Sequence, residues 1–244
     1  MPSVREEDVQ QGHLVVPAAG GPGVVLVHDV WGLYDHFRDL ARRLAGEGFV
    51  VLALDAYRGF AERPRPEDPG AFMRELSDPD VLATIQAAVD RLRAHPEVAG
   101  RPVGVIGFCM GGSYTLLAAA RVRGIAAAVP FYGILSYSHG LYAGPPLDPR
   151  KKPESPLDVA AEVRCPVLAF FGEDDTLITG ADVRALEERA RTAGHPFAVQ
   201  VFGGAGHAFV NDTRPQLYRP EQARDAWSRM VSFLKAHLGT GAAR

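Results

Sequence analysis

The chain has 244 residues, of which 47% are hydrophobic and 23% are charged, a composition that argues against disorder, collagen and coiled coil. Lys and Arg total 26 and Asp and Glu total 29, so the formal charge of -3 provides no basic surplus for nucleic acid or an anionic membrane. We expect a single domain over residues 1–244 that has neither of these partners.

The two cysteines, Cys109 and Cys165, are too few for a disulfide framework or a four-thiolate zinc site. The first residues lack a basic start followed by an apolar stretch, and no run approaches the roughly 20 apolar residues that span a bilayer. We therefore expect a cytoplasmic protein with reduced thiols and without a metal or other cofactor. The sequence does not determine the oligomeric state, for which a monomer is favoured.

Apolar runs alternate with helical periodicities along the chain. Strands are predicted over residues 24–28, 49–54, 103–108, 125–131, 166–171 and 197–202. Helices are predicted over residues 37–45, 81–93, 110–120, 181–192 and 221–238. Such alternation is typical of an α/β protein with a mostly parallel central sheet and helices on both faces. In such sheets ligands bind beyond the carboxyl ends of the strands.

Helix caps and loops complete this pattern. Asp78 is predicted to cap the second helix, with Pro79 at its first position, and Thr179 and Asp182 form a capping pair for the fourth. A Pro-rich loop is expected over residues 63–70. The stretch 133–156 has the composition of either a linker or a loop, and we favour a loop because long loops in compact domains usually serve a site.

A cysteine follows the third strand in the pattern Gly107-Phe108-Cys109-Met110-Gly111. The pattern Gly-x-Cys-x-Gly between a strand and a helix is typical of a nucleophile elbow, whose tight turn needs flanking glycines. The start of the helix favours a thiolate, and the N–H of Met110 would point at an oxyanion. The alternative is a buried small hydrophobic residue in a Gly-rich turn.

A histidine and a carboxylate follow later strands. His207 lies among glycines after the sixth strand, where it could act as a base or be a core or surface residue. Asp175 and Asp174 follow the fifth strand, and the spacing from Gly172 favours Asp175 as the group that orients the imidazole. Either aspartate could instead be a turn or cap residue. Together, a thiol, a carboxylate and an imidazole end three strands in the order nucleophile, acid, histidine.

The chain resembles the dienelactone hydrolase family of the α/β-hydrolase fold. The resemblance rests on residues 28–33, 55–57, 107–112, 172–178 and 204–209. It implies a carboxylic ester or lactone hydrolase in which Cys109 is the nucleophile, His207 the base and Asp175 its orienting acid. It also implies that Val30 provides the second oxyanion N–H and that Asp29 is the acid paired with the resting thiol.

Several positions depart from the family pattern. Asp29 stands where the best-known members have glutamate, and Asn211 stands where they have one of two substrate-binding arginines. The other arginine has no secure counterpart; Arg74 is a candidate for it, and Trp31 is a further candidate for substrate contact. The absence of a secure arginine pair weakens the case for an anionic lactone. Tyr137 and Tyr142 are expected to line the mouth of the pocket or to lie in a solvated loop.

Three alternatives remain open on the sequence. The same triad would serve a promiscuous carboxylesterase of small esters, and dienelactones, aryl esters and other lactones are all possible substrates. A dinucleotide-binding protein is a weaker reading, because Cys109 replaces the middle glycine of the fingerprint and its loop does not follow the first strand. A scaffold that kept the fold and lost the chemistry is also weaker, because all three triad positions are filled.

Overall fold

The computed structural model describes residues 3–58, 60 and 62–239. One sheet of eight strands crosses the molecule in the order β1-β2-β4-β3-β5-β6-β7-β8. The strands are β1 (Val4–Val9), β2 (Gly12–Pro17), β3 (Gly23–Val27), β4 (Val50–Leu54), β5 (Val103–Phe108), β6 (Ile125–Phe131), β7 (Val167–Gly172) and β8 (Phe197–Phe202). The six strands β3 to β8 run parallel, whereas β1 and β2 add an antiparallel edge beside β4. This edge is absent from the sequence prediction.

Six α-helices accompany the sheet. They are α1 (Asp35–Gly46), α2 (Pro69–Glu75), α3 (Asp78–Ala94), α4 (Met110–Arg121), α5 (Gly180–Ala190) and α6 (Pro220–Leu238). Every residue of the central strands β3, β4 and β5 is buried, so helices cover both faces of the sheet. The predicted α/β architecture is confirmed. No helix of residues 3–58, 60 and 62–239 is long and apolar enough to cross a membrane.

The region between β4 and α3 differs from the prediction. The Pro-rich segment was expected to be a loop over residues 63–70, but helix α2 begins at Pro69, where the Asp68 carboxylate accepts a hydrogen bond of 2.9 Å from Ala71 N–H. The predicted cap of α3 is also wrong. Ser77 caps this helix, and Asp78 is its first residue.

The long stretch over 133–156 is a loop that includes a short 3-10 helix, Gly140–Tyr142. The segment 69–78 holds this loop through several contacts. The Arg74 guanidinium donates to the carbonyls of Tyr142 and Pro145, and Asp78 N–H donates to Lys151 O at 2.8 Å. The loop is therefore fixed to the segment that follows β4.

Candidate active site

Cys109 occupies a strained turn between β5 and α4. Its φ of 54° lies in the left-handed region, which a residue with a side chain seldom adopts. The flanking glycines allow the backbone to pass closely: a Cβ at Gly107 would lie 2.1 Å from Gly111 O, and one at Gly111 would lie 2.4 Å from Val27 O. This is the geometry of a nucleophile elbow, with Cys109 8% exposed at the N-terminus of α4.

The loops after β7 and β8 bring Asp175 to His207. The ring Nδ1 lies 2.8 Å from Asp175 Oδ2, and the carboxylate side chain is completely buried. The other oxygen, Oδ1, accepts hydrogen bonds from Leu177 N–H at 2.8 Å and Ile178 N–H at 3.2 Å. These bonds fix the carboxylate and thereby the ring. The competing residue Asp174 is exposed.

The charge of Cys109 also affects the pKa of His207. Burial lowers the pKa of His207, but the negative charges of the Cys109 thiolate and the Asp175 carboxylate outweigh it and raise the pKa to about 10. The His207 side chain keeps 16% exposure, so solvent still reaches the ring. Its Nε2 has no partner of hydrogen-bond geometry in the described residues, although the thiol is near enough to act on it. Such catalytic contacts are often long before substrate binds.

Two backbone N–H groups near Cys109 are without a hydrogen-bond partner among the described residues. The N–H groups of Val30 and Met110 have no hydrogen-bond partner in residues 3–58, 60 and 62–239, and both residues follow strands that end at the same edge of the sheet. Met110 N–H is the first of helix α4, where no intrahelical acceptor exists. These two groups are therefore available to a negatively charged oxygen.

Asp29 has a different environment from the one predicted. Its Oδ1 accepts from Trp31 N–H at 2.9 Å, its Oδ2 accepts from Tyr34 OH at 3.1 Å, and Arg214 Nη2 lies 3.9 Å from Oδ2. Among the residues that the structure describes, Asp29 makes no hydrogen bond to the thiol of Cys109. The short aspartate side chain is held by its own loop instead. Burial raises the pKa of Asp29, and the Trp31 N–H and Arg214 oppose this effect.

A cavity of about 340 Å³ opens over Cys109 and His207. Two predicted substrate-contact residues, Trp31 and Asn211, line it. Arg214, which was not predicted from the sequence, also lines the cavity. Its guanidinium carbon lies 5.8 Å from the centroid of the Trp31 ring. The only signal for it was a basic residue in the loop after the histidine. Its position depends on the path of that loop.

The other predicted pocket residues point elsewhere. Arg74 donates to loop carbonyls and is not part of the cavity wall. Tyr137 and Tyr142 pack around Lys152, with ring centroids 5.3 and 5.5 Å from Nζ, and the residue between them that reaches the cavity is Leu141. Neither tyrosine lines the cavity, and Leu141 is the residue of this loop that does.

A larger cavity of about 740 Å³ lies between α1 and α6. It shares Phe108 with the smaller one and contains none of the predicted site residues. The smaller cavity is the candidate active site, because Cys109 and His207 both line it.

Comparison with known proteins identifies the family. The sequence model of the dienelactone hydrolase family matches residues 11–238. The chain belongs to the dienelactone hydrolase family. As a member of this family it is a hydrolase that acts on carboxylic ester bonds, which confirms the resemblance seen in the sequence.

Individual members of the dienelactone hydrolase family cover nearly the whole chain. A Bradyrhizobium protein that carries the name 2-oxo-3-(5-oxofuran-2-ylidene)propanoate lactonase is 33% identical, over 93% of this chain and 89% of that protein. A Methylorubrum extorquens protein that carries the name carboxymethylenebutenolidase is 30% identical, over 95% of this chain and 78% of that protein. A Klebsiella pneumoniae crystal structure named for a dienelactone hydrolase has a TM-score of 0.82 at 27% identity, covering 95% of this chain and 97% of that one.

Proposed function

We propose that this protein hydrolyses small carboxylic esters or lactones through a thioester on Cys109, with His207 and Asp175 completing the triad. One observation carries the proposal: His207 bonds the buried Asp175 carboxylate through Nδ1, and it lines the same cavity as Cys109, which stands in a strained elbow. This is the order of contacts that nucleophilic acyl transfer needs. The family's activity on ester bonds supports it.

Acylation begins when the Cys109 thiolate attacks the ester carbonyl carbon. The C–S bond forms as the carbonyl π electrons move to oxygen, and the N–H groups of Val30 and Met110 stabilise the oxyanion. When the intermediate collapses, the C–O bond to the leaving alkoxide breaks. The His207 imidazolium gives its Nε2 proton to that oxygen, and the raised pKa of His207 keeps this proton available at neutral pH.

Deacylation returns the enzyme to its starting state. Neutral His207 takes a proton from water as the water oxygen attacks the thioester carbon, again through an oxyanion held by Val30 and Met110. Collapse of this intermediate breaks the C–S bond and releases the carboxylic acid and the Cys109 thiolate. Asp175 stabilises the imidazolium that forms in each cycle.

The cavity favours a small substrate. Its volume of about 340 Å³ lies near the lower end of the range for small-molecule sites. Arg214 lines it and could bind an acidic group, which fits an anionic lactone such as the lactones that relatives are named for. A promiscuous carboxylesterase is the second candidate, because Asp29 lies 3.9 Å from Arg214 and partly neutralises its charge, and Arg74 points away. Cytoplasmic location and a monomeric state stay predictions from the sequence.

The test compares p-nitrophenyl acetate hydrolysis by the wild type, Cys109→Ala and Cys165→Ala. Cys165 is a matched control: it is also buried, and burial raises the pKa of its thiol to about 12, which leaves it unreactive. We expect turnover in the wild type and in Cys165→Ala, and background rates in Cys109→Ala. Equal turnover in all three proteins would place the nucleophile elsewhere and refute the proposal.

A further inference from the structure

Two buried residues, His28 and Tyr57, hydrogen-bond the backbone of the loop that contains Val30, and neither has a role in the steps described above. His28, fully buried, follows β3, and Tyr57, 1% exposed, follows β4 in the Asp55–Tyr57 segment that resembles the family. Their rings meet edge to face with centroids 4.7 Å apart. Both make polar contacts with the residues around the free N–H groups.

His28 bonds the peptide that contains the Val30 N–H. Its Nδ1 lies 2.6 Å from Asp29 O, and its Nε2 accepts from Ala56 N–H at 3.1 Å. Because Nε2 accepts a hydrogen bond from Ala56 N–H, Nδ1 carries the ring hydrogen and donates a hydrogen bond to the Asp29 carbonyl. Burial lowers the pKa of His28 to about 4, so this neutral tautomer persists at neutral pH.

Because the peptide is planar, the bond from His28 to Asp29 O also affects the direction of the Val30 N–H. In a trans peptide the carbonyl and the N–H lie in one plane and point in opposite directions. A donor that fixes Asp29 O on one side therefore fixes the direction of Val30 N–H on the other. The bond from His28, with a second bond of 3.2 Å from Gly32 N–H to the same carbonyl, thus fixes the direction of the Val30 N–H.

Tyr57 bonds the next peptide and the second oxyanion residue. Its hydroxyl donates to Val30 O at 2.8 Å and lies 2.9 Å from Met110 Sδ. One hydroxyl thus touches both residues whose N–H groups are free beside Cys109. The Tyr57 hydroxyl thereby links the loop after β3 to the start of α4.

We propose that His28 and Tyr57 are positioning residues that orient the N–H groups of Val30 and Met110 toward the substrate oxyanion. This inference rests on the proposed acyl-transfer function. Neither side chain touches substrate; each acts through the backbone that it bonds. Removing one oxyanion donor costs about 10²- to 10³-fold in kcat, so a donor that is present but wrongly aimed should cost about 10- to 100-fold.

Four variants of the full chain test the proposal. Tyr57→Phe removes the hydroxyl, and Tyr114→Phe is its control, because Tyr114 is an equally buried tyrosine whose hydroxyl bonds Asp78 at 2.7 Å. His28→Asn keeps a donor near the Nδ1 position, whereas His28→Gln places its amide near the Nε2 position and loses the donor to Asp29 O. Each protein is assayed for kcat and KM on p-nitrophenyl acetate and for the rate at which iodoacetamide alkylates Cys109.

Alkylation forms no oxyanion, so it separates positioning from a general loss of structure. We expect Tyr57→Phe and His28→Gln to lose about 10- to 100-fold in kcat, with KM and the alkylation rate unchanged. His28→Asn should recover most of the loss, and Tyr114→Phe should match the wild type. Unchanged kcat in Tyr57→Phe and His28→Gln would overturn the inference. A parallel fall in alkylation would also overturn it, because the loss would then lie in the thiol or the fold. If Cys109→Ala hydrolysed the ester at the wild-type rate, the proposed function itself would be refuted.

Discussion

Lys152 is a fully buried charge whose removal should destabilise the fold. Its ammonium group bonds the carboxylate of Asp78, which is 2% exposed, and the rings of Tyr114, Tyr137 and Tyr142 lie 5.3–5.6 Å from Nζ. The pair joins the loop over 133–156 to the start of α3. Burial lowers the pKa of Lys152, although the charge of Asp78 opposes this effect.

The expected cost of Lys152→Met follows from the charge that remains. Breaking a buried ion pair by removing one partner costs about 3–5 kcal/mol, because the other charge stays buried. Asp78 keeps hydrogen bonds from Tyr114 at 2.7 Å and Tyr137 at 2.8 Å, so we expect a value near the lower end of that range. A loss of about 3 kcal/mol corresponds to a fall in Tm of roughly 6–12 °C for a chain of this size.

Urea denaturation of the wild type, Lys152→Met and Lys151→Met measures this cost. Lys151 is a matched control, because its 2.6 Å pair with Glu75 is exposed and should contribute little to stability. The double variant Lys152→Met with Asp78→Asn buries no charge and should be more stable than Lys152→Met alone. A loss in Lys152→Met no larger than that in Lys151→Met would refute the reasoning.

Three further predictions concern the active site. Asp175→Asn should lower kcat by about 10²- to 10⁴-fold, because the acceptor that orients the imidazole is lost; unchanged kcat would contradict this. NMR titration of the His207 ring should give a pKa near 10 in the wild type and a lower value in Cys109→Ala, which lacks the thiolate charge. Wild-type turnover should fall as the pH rises through about 10, because His207 then loses the proton that it gives to the leaving group. Equal pKa values in the two proteins would contradict the charge coupling. Arg214→Met should raise KM for an anionic ester and leave KM for a neutral ester of similar size unchanged, whereas equal changes for both would mean that Arg214 binds no acidic group.

The parallel part of the sheet could be predicted because most of its strands are continuous apolar runs, and in β8 only Gln200 interrupts the run. The antiparallel edge could not, for a physical reason. Strand β1 reads VREEDV and is mostly exposed, so burial leaves little pattern in its sequence. Strand β2 pairs with β4, which is distant in the chain, and nothing local specifies that partner. Helix α2 was not predicted because the residues just before it are rich in proline, which suggested a loop. Asp68 followed by Pro69 is nevertheless a recognisable helix start.

The candidate triad could be located because each member follows a strand, and the carboxyl ends of parallel strands meet at one edge. Residues whose roles depend on the course of a loop could not be located in this way. Arg214 enters the cavity from an irregular segment, and Asp78 meets a lysine far along the chain rather than capping its own helix. Asp29 was placed near the site by its position, but its short side chain bonds its own loop.

The central claim is that Cys109 carries the acyl group. The most direct measurement is mass spectrometry of the wild-type protein quenched during turnover of p-nitrophenyl acetate, followed by peptide mapping. We expect one acetyl group per chain, located on the peptide that contains Cys109 and absent from Cys109→Ala. An acetyl group found on another residue, or steady turnover with no acylated protein at any quench time, would contradict it.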